Sequence, residues 1–260
     1  MSAPRLSADN LIKELGICEP EDIDVEAIAQ YCNATVVYEH LTGCEARIVG
    51  NADRAIITVS VDSRLGRQRF SAAHELGHWM RDRNQVGYSC TNSLFRSQWG
   101  AANSERSANQ FAADLLSPQT IFGRYAYNRP ATLQAARELA EKFDTSLAAT
   151  AIRLVQHGSF PAMVVYLSQG ARRWFVAEPD VPSVLSPREK PSKRTVAWEL
   201  MQLTASEPGP TVVQANGWLT HPEGENYELL EDSVRFRDGS ILSLLWWKNE
   251  KQIIDLIKDD

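Results

Sequence analysis

Cysteine is scarce and unpatterned. Cys18, Cys32, Cys44 and Cys90 are the four in 260 residues, and no two are spaced as a CxxC pair. That excludes a disulfide framework and leaves each thiol to be read first as a small buried hydrophobe. No apolar run approaches the roughly 20 residues that a membrane helix needs. The opening stretch MSAPRLSADN has no apolar signal core, so a soluble, cytoplasmic protein is expected. Internal repeats and low-complexity tracts are missing as well. So is an excess of positive charge: 27 Lys and Arg stand against 33 Asp and Glu, a net charge of −6. An acidic total argues against a dedicated coat for duplex DNA, although it leaves room for a local basic patch.

What is present is ordinary globular usage, with 43% hydrophobic and 23% charged residues, which argues for an ordered chain. At about 150 residues per domain, the length predicts one large or two small domains. Such a chain can bury a core without staples. Composition changes near residue 160, with eight of twelve prolines and five of seven tryptophans lying beyond it. The formal charge is −2 up to Gly158 and −4 after it, so neither half is a charged tail.

The first 60 residues predict short helices over Ala8–Leu15 and Val25–Cys32, the second capped by Asp24, and strands over Thr35–Glu39 and Ala55–Val61. Helices are predicted over Phe70–Arg83 and over Asn103–Leu116, the latter stopped by Pro118. Leu133–Phe143, a turn at Asp144-Thr145-Ser146, and Leu147–Gln156 read as helix, turn, helix. Beyond 160 the pattern favours strands: Ala162–Leu167 and Arg173–Ala177 around a Gln169-Gly170 turn, then Thr211–Leu219, Ser233–Arg237 and Ile241–Trp247, with a helix over Thr195–Leu203.

The decisive segment is Phe70-Ser-Ala-Ala-His74-Glu75-Leu-Gly-His78-Trp-Met. Four-residue spacing on a helix puts both imidazoles on one face, one turn apart, able to grip one metal ion. Glu75 then points beside the metal, where a general base takes a proton from water. Phe70, Ala73, Gly77 and Met80 supply a helical apolar stripe, and Gly77 lets another backbone come close. Hydrolytic zinc takes three protein ligands, so a third is needed on a nearby element. Glu105 is the best candidate, followed at helical spacing by the small residues Ala108 and Ala112 that allow close packing; Asp114 is the weaker alternative. Two histidines on a helix surface, with no metal, is the plainer reading of an HExxH taken alone.

His74-Glu75-Leu-Gly-His78 followed by Glu105-xx-Ala108-Asn109-x-Phe111-Ala112-xx-Leu115-Leu116-x-Pro118 resembles the ImmA/IrrE family of metallopeptidases. The likeness is best from about residue 20 to 158, and Ser107 and Ser117 depart from the family pattern without touching the expected ligands. The resemblance implies an α+β fold: a mainly helical zincin-like protease domain with a small sheet over 1–130, a helix-turn-helix extension over 131–158, and a smaller α/β, sensor-like domain over 159–260. It implies His74, His78 and Glu105 as metal ligands and Glu75 as catalytic base. It further implies a zinc endopeptidase, with manganese as the alternative metal, that cleaves a helix-turn-helix repressor. Derepression of an operon after DNA damage or stress would follow, with antiphage operons of the CapP-like type as one setting. Single-stranded DNA is a candidate activator, read from the arginines around this segment and not from the resemblance.

Several features invite a second reading. Cys90 lies between the two ligand-bearing segments and is a candidate inhibitory fourth metal ligand, against the plain reading of a thiol without a role. Tyr88 and His40 are candidate oxyanion stabilisers. Arg64, Arg67, Arg69, Arg81 and Arg83 bracket the active-site segment and read either as a solvated helix face or as an anion or nucleic-acid site. Arg172-Arg173-Trp174-Phe175 is a second basic and aromatic cluster, read as sheet core or as a stacking surface. The charge of Leu133–Gln156 sums to zero, which favours a structural or substrate-docking role over DNA binding. Two rival functions stand beside the protease: a non-proteolytic metal-containing binding module, and a DNA-binding regulator.

Overall fold

Ser7 and Asp24 set the start of the first two helices, α1 (Ala8–Glu14) and α2 (Val25–Tyr31): each side chain accepts a hydrogen bond from a backbone N–H in the first turn. The computed structural model describes residues 6–51, 53–82, 99–202, 209–247 and 251–258. The chain divides into two units, one of Met1–Phe122 with Lys142–Ser146 and the other of Gly123–Glu141 with Leu147–Asp260. This division cuts through the helix-turn-helix segment, whereas the sequence suggested boundaries at 130 and 158.

In the first unit a three-stranded sheet holds β1 (Ala34–Glu39), β3 (Ala55–Ser60) and β2 (Ala46–Gly50) in that order, with β1 and β3 parallel and β2 antiparallel to β3. Strand β2 was not expected; with only Ala46 and Ile48 facing inward it is too short to give a clear alternation. Against the sheet lies α3 (Leu65–Asp82), and against α3 lies α4 (Trp99–Leu116). Helix α3 begins five residues before the expected Phe70, because its first turn carries no apolar stripe. Its anchor is polar instead: buried Gln68 donates to the carbonyls of Ser60, Val61 and Ser63 and so ties the helix to the end of β3. Further along, the Trp79 indole donates to the Cys32 carbonyl at 2.7 Å.

Pro118 ends α4, and its carbonyl accepts from Ile121 and Phe122 to start α5 (Gln119–Ala126), a helix that the sequence did not announce. The turn between α6 (Leu133–Phe143) and α7 (Leu147–His157) matches expectation, with Asp144 at φ 49° breaking the helix.

The second unit carries a five-stranded antiparallel sheet in the order β5-β4-β8-β7-β6, from β4 (Ala162–Ser168), β5 (Ala171–Ala177), β6 (Thr211–Gln214), β7 (Glu228–Arg235) and β8 (Ile241–Trp246). Gln169 and Gly170 both take positive φ, the geometry that a two-residue hairpin turn demands. Strand β6 stops at Gln214 rather than Leu219, because Ala215–Gly217 forms a 3-10 turn. Helices α8 (Val196–Gln202) and α9 (Lys251–Lys258) complete the unit. Among the described residues, no helix is long and apolar enough to cross a membrane.

Two adjacent acids in β7 are buried and point to opposite faces of the sheet, as alternation requires. Asp232 accepts from the Leu133 N–H at 2.7 Å and so caps α6. Glu231 accepts from the N–H groups of Val196 and Ala197, at 2.9 and 2.7 Å, and so caps α8. Burial pushes the Glu231 carboxyl above the ordinary range, although hydrogen bonds from Ser233 and the two backbone amides pull the other way. Folded, Glu231 therefore holds its proton more readily than unfolded. The stability it contributes is complete below its unfolded-state pKa of about 4.3. That contribution is lost as pH rises through the folded value. Urea unfolding of parent and Glu231→Gln between about pH 4 and 7 should show the parent's stability falling relative to the variant as pH rises. A difference that stays flat contradicts this.

Candidate metal centre

The histidines stand one turn apart on α3 because they are four residues apart. Glu105 reaches them because α4 crosses α3 unusually closely. A Cβ on Gly77 would meet the Ala108 Cα at 3.1 Å, its carbonyl oxygen at 3.2 Å and the Phe111 Cβ at 3.2 Å. Hydrogen at Gly77 opposite the small residue Ala108, which is buried, permits that approach.

The result is a convergent set. The Nε2 atoms of His74 and His78 lie 3.1 Å apart, with Glu105 Oε2 at 3.5 Å from the first and Glu105 Oε1 at 3.4 Å from the second. Two imidazole nitrogens at that distance must share a proton or a cation, and the carboxylate beside them calls for positive charge. A cation among the three satisfies both demands. Bonds of about 2.0–2.2 Å at near-tetrahedral angles place donor atoms about 3.3–3.6 Å apart, close to what is observed. The donor chemistry, two imidazoles and one carboxylate, suits zinc. Three protein donors among the described residues is the number that a hydrolytic metal site uses. Among the described residues, His74, His78 and Glu105 are the group of His, Cys, Asp and Glu side chains able to hold a metal.

Glu75, next to His74 on α3, is 4% exposed. Asp114, the alternative third ligand, accepts instead from the Gln110 amide at 2.9 Å. Behind the ligands, His74 Nδ1 lies 3.0 Å from Asn109 Oδ1, and His78 Nδ1 lies 3.3 Å from Ser104 Oγ. The sequence placed Asn109 in the family pattern without a role and did not single out Ser104. The signal was the spacing: Ser104 precedes Glu105, and Asn109 follows it by four residues, one turn along α4.

Residues 29–155 match the sequence model of the IrrE N-terminal-like domain, Peptidase_M78. This segment belongs to the M78, or ImmA/IrrE, family of peptidases. The M78 segment contains His74, Glu75, His78 and Glu105, and the family implies a metallopeptidase with a divalent metal. A solved structure described as a "Mycobacterium tuberculosis transcriptional regulator" is similar in fold, with a TM-score of 0.59 and 14% identity over 95% of this chain and 76% of that one. No curated protein sequence matches the chain.

Three of the arginines around the M78 helix, Arg67, Arg69 and Arg81, have separate partners. Arg69 donates to the carbonyls of Ile23, Phe143 and Asp144 and to the Asp144 carboxylate, which ties the α6–α7 turn to the first unit. Arg67 faces Glu45 at 3.6 Å and the Phe70 ring, Arg81 donates to the Asn103 carbonyl, and Arg64 is exposed at the start of α3. Beside Arg69 lies a cavity of about 430 Å³ that shares no residue with the histidine cluster. His40 pairs with Asp62 at 3.0 Å, both exposed. In the second unit Trp174 stacks on Tyr166, and Arg172 lies over Phe175. Cys90, Tyr88 and Arg83 lie outside the described residues.

The close crossing generates a prediction. Gly77→Val forces carbon against the Ala108 backbone and should destabilise the protein by about 1–3 kcal/mol. It should weaken zinc binding as well, by moving Glu105 off the histidines. Thermal unfolding with and without zinc checks this; an unchanged Tm and an unchanged zinc Kd contradict it.

Proposed function

We propose that this protein is a zinc-dependent endopeptidase that cleaves a helix-turn-helix transcriptional repressor in the cytoplasm and so derepresses an operon under DNA damage or stress, with single-stranded DNA as activator. The observation that carries the peptidase reading is the convergence of His74, His78 and Glu105, with Glu75 adjoining on the same helix. The repressor as substrate draws support from the family resemblance, and a regulatory setting is in keeping with a fold neighbour that is itself described as a transcriptional regulator.

His74, His78 and Glu105 would hold the metal. Bound there, a divalent metal supplies Lewis-acid polarisation of the scissile carbonyl and lowers the pKa of the attacking water. Glu75 accepts a proton from that water on its carboxylate and delivers it to the leaving amine nitrogen, acting first as base and then as acid. Its burial shields that proton exchange from bulk solvent. The zero net charge of the Leu133–Gln156 segment gives the DNA-binding alternative little electrostatic footing.

Glu75→Gln separates peptidase from binding module. The parent, loaded with zinc, should cut a helix-turn-helix repressor encoded beside its gene into two fragments, faster with single-stranded DNA. The variant should retain zinc and lose cleavage by at least about a hundredfold, the scale on which positioned proton transfer acts. A zinc-loaded parent that leaves the repressor intact in both conditions, or a variant that cuts as fast as the parent, contradicts the proposal.

A further inference from the structure

Helix α4 does more than deliver Glu105. On the same helix stand Ser104 and Asn109, and each meets the far nitrogen of one histidine: Asn109 Oδ1 at 3.0 Å from His74 Nδ1, and Ser104 Oγ at 3.3 Å from His78 Nδ1. The near nitrogens, both Nε2, are the ones that converge with Glu105. An imidazole donates a lone pair from one nitrogen only when its proton sits on the other. Free histidine carries no such instruction, so something must hold the proton on Nδ1. An amide oxygen accepts and cannot donate, so a hydrogen bond between His74 Nδ1 and Asn109 Oδ1 requires the proton to be on Nδ1. The hydroxyl of Ser104 either donates or accepts, so its hold on the His78 tautomer is weaker.

We infer that Asn109 is a positioning residue for the metal centre: it fixes His74 in the Nδ1–H tautomer and fixes its ring plane, so that Nε2 faces Glu105 ready to bind. The inference rests on the metallopeptidase reading for its purpose, although the tautomer is a property of the metal-free protein. Glu105, Ser104 and Asn109 thus form one rigid template on a single helix. Any displacement of α4 relative to α3 removes the direct ligand and both orienting partners together. Asn109 is itself exposed and meets α3 only at His74 among the contacts described above, whereas Ala108 and Phe111 make the close contact at Gly77, so replacing Asn109 should leave the helix crossing in place.

The test uses the full chain and two variants. Asn109→Leu removes the acceptor at similar size; Asn109→Asp keeps an oxygen acceptor and strengthens it. Long-range proton–nitrogen NMR of the metal-free protein, above the histidine titration range, reads the His74 tautomer directly. Parent and Asn109→Asp should show the proton on Nδ1, and Asn109→Leu should show it moved substantially to Nε2. Zinc titration should give a Kd about ten- to a hundredfold weaker for Asn109→Leu and within a few-fold of the parent for Asn109→Asp. An unchanged tautomer, or an unchanged Kd, in Asn109→Leu overturns the inference. Failure of the peptidase reading looks different: the parent itself would then bind no zinc, while the tautomer shift would still report whether Asn109 holds His74.

Discussion

The distance between α3 and α4 at Gly77 is the constraint on which the centre depends. A metal site of two histidines and a carboxylate on different helices needs donor atoms placed to a fraction of an ångström. Here that placement comes from backbone contact rather than from side-chain interdigitation. The ideal Cβ position on Gly77 is 3.1 Å from the Ala108 Cα, so the helices meet at a spot where neither can yield. Glu105 lies three residues before Ala108 and Asn109 one after it, and both inherit that precision. On the other side, Gln68 and Trp79 fix α3 to the carbonyls of the strand end and of Cys32. Helix α3 is therefore held at its start, its middle and its end by interactions that are polar, close or both.

The second unit follows the same economy with a different device. Strand β7, next to the edge of its sheet, carries Glu231 and Asp232 where apolar residues would normally sit. Each acid ends a helix dipole on one face of the sheet, so one dipeptide orients α6 and α8 at once. Buried carboxylates are tolerable only when satisfied, and the two helix starts supply the donors. Two of this half's tryptophans anchor its core: Trp218 and Trp247 are fully buried beside Leu185, Leu219 and Leu245.

Legibility followed physical range. Elements defined by local signals were visible in the sequence: Asp24 as a cap, the Gln169-Gly170 turn, the Asp144 break, and the His74/His78 pair at one-turn spacing. Glu105 was visible only by requiring a third ligand and finding an acid ahead of small residues at helical spacing. The structure brings all three together. What escaped was set by tertiary contact. The first turn of α3 rests on Gln68, whose three acceptors lie in another element. Helix α5 begins on the carbonyl of the same proline that ends α4. The arginines near the active-site helix looked like one basic patch, yet Arg69 is spent on carbonyls of Ile23 and of the α6–α7 turn. Asn109 stood in the family pattern and Ser104 beside it, yet neither showed a role, because a polar residue that orients a ligand is chemically ordinary until its partner is known.

The central claim is that the α3–α4 crossing builds one metal centre from His74, His78 and Glu105. Anomalous diffraction at the zinc edge, from crystals grown with zinc, tests it most directly. A single strong peak should appear about 2.0–2.2 Å from both Nε2 atoms and from a Glu105 carboxylate oxygen. No peak there, or a peak ligated by the histidines with Glu105 turned away, would contradict the account.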